Sequence, residues 1–371
     1  MSLQTLLTLA LGFGLYPAIA LAGEPKKLEA VRVSKDGKGF SLEPSGKKFT
    51  PWGFNYDHDA KGRLIEDYWD GEWEAIQGDF AEMKAIGANV VRVHIQFGKF
   101  MIDTNKPNAK ALERLAKLLK LAEETGLYID LTGLGCYHKK DVPEWYDRLN
   151  ESDRWSSQAK FWQAVATTCK NSPAIFCYDL MNEPISPAGK GKNTDWLGPA
   201  FGDKHFVQRI SLDQAGRKRT DIAKAWIKQL AGAIRRVDDK HLITVGLVDW
   251  SLDRPGLSSG FVPKEIAGDL DFLCVHIYPE KGKVKEAIET LKAFNIGKPV
   301  VIEETFPLKA PIDQFEDFLI QSEKHAAGVI GFYWGTPMAE LKKSKTISDA
   351  FLRVWLEVFQ KRGKAMGVIE Q

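Results

Sequence analysis

The sequence predicts a (β/α)8 barrel: one closed ring of eight parallel strands wrapped by helices, fronted by a short N-terminal β-hairpin cap. Three observations carry the expectation. From Phe49 onward, short apolar runs alternate with longer segments of helical period, and the alternation continues through eight units without an internal domain boundary. The run Ile175-Phe176-Cys177-Tyr178 is apolar at successive positions, as in a parallel strand covered on both faces. The 349 residues that follow the first 22 (371 − 22) are long for an ordinary domain and normal for an α/β barrel. A doubly wound open sheet is the competing architecture, and it would show a Gly-rich phosphate turn after a strand, which this chain lacks.

The elements follow in order. Residues 1–22 carry no charge and are almost wholly apolar from Leu6 to Ala22, and Ala20-Leu21-Ala22 is a small-x-small site before Gly23. This is the pattern of a signal peptide, too short and wrongly flanked for a membrane anchor, so residues 23–371 are the expected mature domain, secreted or periplasmic. Residues 31–50 hold short strands punctuated by Asp36-Gly37-Lys38-Gly39 and Pro44-Ser45-Gly46, the turns of the cap. The strands are then expected at Phe49–Tyr56, Ala88–Ile95, Tyr128–Leu131, 175–182, Leu242–Val248, Phe272–Ile277, Pro299–Ile302 and Val329–Trp334. Helices are expected at Trp73–Ile86, 109–125, 156–170, 221–237, 284–294, 312–326 and 347–360. In the second of these Leu112, Leu115, Leu119 and Ala122 share one face, the period of a surface helix lying on a sheet.

Composition excludes several function classes. A formal charge of +2 without a dense Lys/Arg run gives no purchase for nucleic acid or for a membrane after leader removal. Four cysteines are too few for a disulfide scaffold; a Cys169–Cys177 bridge is open to an exported chain. No organic cofactor or metal is called for, and the chain is expected to be a monomer.

A barrel builds its active site at the carboxyl ends of its strands. The stretch Asn182-Glu183-Pro184 ends strand four with an amide beside a carboxylate, and Pro184 is expected to stop the strand and push Glu183 towards extended geometry. The other tips carry Arg92 and His94 on strand two, His276 and Tyr278 on six, Glu304 on seven and Trp334 on eight. There is no Ser or Cys nucleophile with a base nearby, and no His-x-His of a metallohydrolase. Two carboxylates across a cleft are the equipment of glycosidic bond cleavage.

Taken together, Asn182-Glu183-Pro184, His276-Ile277-Tyr278, the strand Pro299 to Glu304 and Tyr333-Trp334 resemble glycoside hydrolase family 5, the cellulase family, in their usual order. The resemblance covers essentially the mature chain. It implies Glu183 as acid/base, Glu304 as nucleophile, Arg92 beside the nucleophile, Asn182 on the sugar 2-hydroxyl, His276 and Tyr278 around the carboxylates, and Trp334 as the platform under the sugar. One departure stands out: many members end strand three Asp-x-His, whereas here the run is Asp130-Leu131-Thr132, with His138 in the following loop as a possible substitute.

Physical chemistry agrees with those roles. A retaining enzyme needs one protonated and one ionised carboxyl, and Arg92 near Glu304 would favour the anion there. His94 is expected to support rather than to touch sugar. The long connection Ile185–Thr220 is expected to wall the cleft, with Trp196 available for stacking. Trp69, Trp73, Tyr137, Trp145, Tyr146 and Trp250 lie on the same face and are expected mostly to pack. Strand alternation implies that only one of Glu303 and Glu304 faces the cleft; Glu304 lies nearer the tip, and Glu303 is expected against the helix layer or a neighbouring strand, paired with a cation or donor. The chain is therefore expected to be a retaining β-glycosidase acting on a β-linked oligo- or polysaccharide, at internal β-1,4 linkages of a glucan or mannan. The rival readings are an exo-acting or other β-glycosidase of the same family, a metal-dependent barrel hydrolase and a non-catalytic glycan-binding protein on the same scaffold.

Overall fold

Eight parallel strands close on themselves in sequence order: β1 (Trp52–Tyr56), β2 (Val90–Gln96), β3 (Tyr128–Gly135), β4 (Ile175–Asn182), β5 (Leu242–Val248), β6 (Leu273–His276), β7 (Val300–Glu304) and β8 (Gly328–Gly331). This computed structural model describes residues 27–187, 193–252, 254 and 257–369, so the expected leader at 1–22 lies outside the described residues. The architecture is the (β/α)8 barrel that the alternation of the sequence predicts. Among the described residues no helix is long and apolar enough to cross a membrane.

Helices α1 (Trp73–Ala85), α2 (Ala109–Thr125), α3 (Glu151–Cys169), α4 (Arg219–Arg235), α5 (Pro263–Ile266), α6 (Val284–Ala293), α7 (Ile312–Ser322) and α8 (Ile347–Ala365) surround the ring. α2 shows why such a segment folds locally. The Asn108 side chain accepts from the Lys110 N–H at its start, and Gly126 takes φ +72° to end it. Its Leu115, Leu118, Leu119 and Ala122 are buried against the sheet. The helical part of the connection between β5 and β6 is the single turn α5 followed by a 3-10 turn at Ala267–Asp269, too short to leave a periodicity in the sequence.

The cap is three-stranded rather than a single hairpin: Ala30–Val33 pairs with Phe40–Glu43, which pairs with Lys48–Phe49. The expected strand over Phe49–Tyr56 is therefore two elements, divided before Trp52. Val31, Phe40 and Phe49 from the cap plug the amino-terminal mouth of the barrel, packing on Val90, Tyr128, Phe176, Leu242, Phe272, Val301 and Ile330 from the strand interiors. Phe40 meets Phe176 and Phe272 edge-on, with ring centroids 5.2 Å and 5.1 Å apart. Polar chemistry is thereby confined to the other end. All four cysteines are buried and free, so the Cys169–Cys177 bridge is not formed.

Candidate active site

At the carboxyl end of β4 the chain leaves the barrel with Glu183 at φ +46°, a left-handed conformation uncommon for a non-glycine residue, where Pro184 suggested extended geometry. The Glu183 N–H donates to the Gly246 carbonyl on β5 at 3.0 Å, and Pro184–Ile185 pairs with Gln208–Arg209. These contacts over-determine the turn and turn the Glu183 side chain over the barrel mouth.

Arg92, expected at a strand tip, comes from the middle of β2, where it organises the floor of the site and is fully buried. Its Nη1 donates to Glu304 Oε1 at 2.6 Å and to Asn55 Oδ1 at 2.8 Å, and its Nη2 donates to Asp179 Oδ2 at 2.7 Å and Asn182 Oδ1 at 3.0 Å. Tyr278 donates to Glu304 Oε2 at 2.7 Å. His276 stands between three carboxylates. Its Nδ1 lies 3.0 Å from Glu183 Oε1 and 3.4 Å from Glu304 Oε2, and its Nε2 lies 3.2 Å from Glu303 Oε2. Glu183, His276 and Glu304 each offer an atom within 4.8 Å of the others. The convergence depends on Gly246: a Cβ there would lie 3.0 Å from Arg92 Nη2, from Glu303 Oε2 and from His276 Nε2.

Charge states follow from these neighbours. Burial alone would lower the His276 pKa, but the Glu304 charge and the hydrogen bonds to Glu183 and Glu303 carry it up to about 10, so the ring is an imidazolium donating from both nitrogens. Burial pushes the Glu304 carboxyl up from its ordinary value, while His276, Arg92 and the Tyr278 hydroxyl pull it back towards the anion. His94 is the opposite of His276. Burial and the Arg92 charge hold it well below its usual value, hence neutral. Its Nε2–H donates to Asn55 Oδ1 at 3.1 Å and its Nδ1 accepts from the Tyr137 hydroxyl. It is a support.

Several expectations are corrected. Trp334 is not a platform: it is 1% exposed, its Nε1 donates to Asp79 Oδ1 on α1 at 3.0 Å, and its ring packs against Phe54. The regular part of β8 ends at Gly331, so the residues that reach the cleft are Phe332 and Tyr333. Trp196 is buried too, donating to the Asp147 carbonyl at 3.2 Å beneath the Arg154 guanidinium, 4.3 Å from its ring. It braces the loop instead of lining the cleft. His138 faces the Asp203 carbonyl at 3.3 Å and lines neither half of the cleft, so it does not substitute for a strand-three histidine. Thr132 donates to Asp179 Oδ2 at 2.8 Å. Glu303 does not face the helix layer; it points into the barrel, where it finds the expected cation and donor in Arg92 at 3.4 Å and His276 at 3.2 Å. Asn182, besides meeting Arg92, donates to the Phe206 carbonyl at 3.1 Å.

The cleft runs to both sides of Glu183. One arm, about 510 Å³, is walled by His58, Phe201, Phe206, Phe306, Phe332 and Tyr333 and reaches Glu304. The other, about 350 Å³, is walled by Val207, Asp249, Trp250, Arg254, Tyr278 and Lys283. Of the aromatic residues the sequence placed on this face, Trp250 lines the cleft, whereas Trp69, Tyr137 and Tyr146 are buried. Asn55, Asp179 and Phe332 were missed. The first two sit within apolar strands, where a lone polar residue aimed into the barrel is the signal; Phe332 carried none.

A closed parallel barrel that brings two carboxylates together at the tips of β4 and β7 is the build of a barrel glycoside hydrolase. The chain belongs to glycosyl hydrolase family 5: the cellulase model of that family matches residues 42–305. Among curated proteins, it is 26% identical over 221 residues to mannan endo-1,4-beta-mannosidase A of Podospora anserina, covering 52% of this chain and 50% of that one. It is 28% identical over 127 residues to mannan endo-1,4-beta-mannosidase 5 of Arabidopsis thaliana, covering 30% of this chain and 22% of that one. The match thus spans half or less of these relatives. Among solved structures, an exo-beta-1,4-mannosidase from an Opitutaceae bacterium (strain TAV5) superposes with a TM-score of 0.65 at 17% identity, over 90% of this chain and 63% of that one. An endo-1,4-beta-mannanase from Eisenia fetida superposes with a TM-score of 0.61 at 17% identity, over 82% and 90%. At such identities the structural likeness speaks for the fold.

Proposed function

We propose that the chain is an exported, retaining β-glycosidase that cleaves internal β-1,4 linkages of a mannan, with β-glucan as the second candidate, and that it acts as a monomer without metal or cofactor. The observation that carries the chemistry is the placement of Glu183 and Glu304 around one imidazolium with oxygens within 4.8 Å of each other. Retaining enzymes hold their carboxyls about 5–5.5 Å apart, whereas inverting ones leave roughly 6.5–9.5 Å for a water.

In this reading Glu304, held by Arg92 and Tyr278, attacks the anomeric carbon, and Glu183 gives its proton to the departing oxygen. Once Glu304 is esterified its charge is gone, and Glu183 takes a proton from the water that releases the sugar. The sugar choice rests on the names of the curated relatives. The internal cut rests on a cleft open on both sides of Glu183. Reducing ends released from purified galactomannan, glucomannan and β-glucan, measured with viscosity, test it. A rapid viscosity drop on mannan is expected; release of monosaccharide alone, with viscosity unchanged, would refute internal cleavage. Binding without any release would favour a glycan-binding protein. Export rests on the uncharged apolar run before Gly23, and amino-terminal sequencing of the mature protein should begin at or near that residue.

A further inference from the structure

Below the reacting pair the barrel holds a second set of carboxylates that the proposed reaction does not use. Asp130 on β3, Asp179 on β4 and Glu303 on β7 are each 0% exposed and place oxygens within 4.8 Å of one another. The apolar plug lies beneath them. Arg92 faces them from β2, the thiol of Cys177 from β4, and the thiol of Cys274 with the ring of His276 from β6.

Their surroundings are unequal. Asp179 accepts from Arg92 Nη2 at 2.7 Å, from the Thr132 hydroxyl at 2.8 Å and from the Gly246 N–H at 2.7 Å. Glu303 Oε2 faces His276 Nε2 at 3.2 Å. Both oxygens of Asp130, and Oε1 of Glu303, are buried without an N–H or O–H partner, and only the weakly donating thiols of Cys177 and Cys274 face this pair. Two anionic oxygens with no strong donor between them in a dry interior repel each other and lack solvation. One proton between them relieves both defects, and the unequal partners say where it sits. Three donors hold Asp179 even though burial and the Glu303 charge push its carboxyl up, and His276 and Arg92 hold Glu303, whereas Asp130 has only the charge of Arg92 and the weak Cys177 thiol in favour of its anion.

We propose that Asp130 carries a proton and donates a hydrogen bond to Glu303 Oε1, so that Asp130, Glu303 and His276 form a buried strut that positions Glu183. Each link has its acceptor filled. Asp130 O–H meets Glu303 Oε1, His276 Nε2–H meets Glu303 Oε2, and His276 Nδ1–H reaches Glu183 Oε1. Burial and the Glu303 charge push the Asp130 carboxyl well up, while Glu303, despite its burial, is held at about 2 by Arg92 and His276. Neither Asp130 nor Glu303 touches substrate in this arrangement; both act through His276. The positioning role rests on Glu183 and Glu304 as the reacting pair; the shared proton does not.

Infrared spectroscopy of the full chain at pH 8 tests the proton directly. The carbonyl stretch of a protonated carboxyl is expected in the native protein and absent in Asp130→Asn. For the strut, Asp130→Leu is expected to lower kcat roughly tenfold, the effect of leaving a buried acceptor unpaired, and Asp130→Asn to recover part of that loss because its amide N–H still donates to Glu303. Glu303→Gln removes an anion from His276 and is expected to move the alkaline limb of kcat/KM to lower pH, which a mere space-filling role would leave in place. Absence of the band, its persistence in Asp130→Asn, or a stoichiometric metal retained by the native chain and lost in that variant would overturn the shared proton. An unmoved alkaline limb would overturn the strut. A chain inactive on every glycan but showing the band would refute the proposed reaction and keep the proton.

Discussion

Glu303 and Glu304 are consecutive residues of β7, yet both carboxylates reach Arg92, at 3.4 Å and 2.6 Å. In a regular strand one of them would face the helices. The register against β6 slips by one residue here: Val275 stands opposite Ile302 and His276 opposite Glu304, leaving Glu303 unpaired as a bulge. Up to Ile302 the strand alternates normally, with Val301 in the apolar plug and Val300 and Ile302 among the residues packed outside the ring. Continued alternation would have sent Glu303 inward and Glu304 out. The bulge turns Glu304 inward as well, one step nearer the mouth, where it is 6% exposed while Glu303 is sealed.

That difference in depth predicts which glutamate forms the glycosyl-enzyme. Trapping with a fluorinated mannoside or glucoside and mapping the labelled peptide should place the sugar on Glu304. A label on Glu303 would require the bulge to move and would reverse the assignment. Glu304→Gln should bring turnover to background on every substrate.

Glu183→Ala separates the two half-reactions. On polysaccharide, whose leaving group needs protonation, kcat/KM should fall by about 10²- to 10⁴-fold, the range for loss of a general acid. On an aryl glycoside with an acidic phenol the first step should survive and the second become limiting, visible as a burst. Equal losses on both substrates would remove Glu183 from the acid role.

How much of this was readable beforehand depended on whether local pattern or long-range contact decided the outcome. The eight strands and most helices follow from periodicity, and Glu183, His276, Tyr278 and Glu304 from lying at or next to strand tips, whereas Arg92 sits deeper in its strand than the sequence placed it. Trp334 shows the limit. Its position marked it for the cleft, but Asp79, 255 residues away in the chain, supplies a partner for its indole N–H on the outer side of the wall. Trp196 was likewise claimed by Asp147 and Arg154. The backbone of Glu183 and the bulge at Glu303 are set by pairing with neighbouring strands, which no window of sequence contains.

The relocation of Trp334 makes a paired prediction. Trp334→Ala should destabilise the protein by roughly 3–5 kcal/mol, as truncating a buried tryptophan does, with little change in KM where the variant remains folded. Phe332→Ala should do the reverse: a small stability effect, since Phe332 is only partly buried, and weaker binding by about 1 kcal/mol through loss of an aromatic face. Thermal or denaturant melts together with KM on one oligosaccharide decide it. A large KM effect from Trp334→Ala with normal stability would restore it as a platform.

The imidazolium at His276 gives a pH dependence with a definite sign. Its folded value, about 10, lies above the ordinary histidine value of 6.5, so the folded protein holds this proton more tightly than the unfolded chain. Its contribution to stability is therefore fully present below about pH 6.5 and is lost as the pH rises through about 10, with a slope of at most ~1.4 kcal/mol per pH unit for one proton. Tyrosines and lysines titrate near the top of this window as well, so the informative quantity is the difference between the native protein and His276→Gln. Denaturant midpoints from pH 6 to pH 10 should decline more steeply for the native chain than for the variant, because glutamine carries no proton to lose. Activity should share the limit: deprotonated His276 can donate from only one nitrogen, so either Glu183 or Glu303 loses its partner and kcat/KM should fall on the alkaline side. Parallel stability curves for the two proteins would mean that His276 is neutral in the fold, and the hydrogen bonds that join Glu183 to the barrel floor would have to be reassigned.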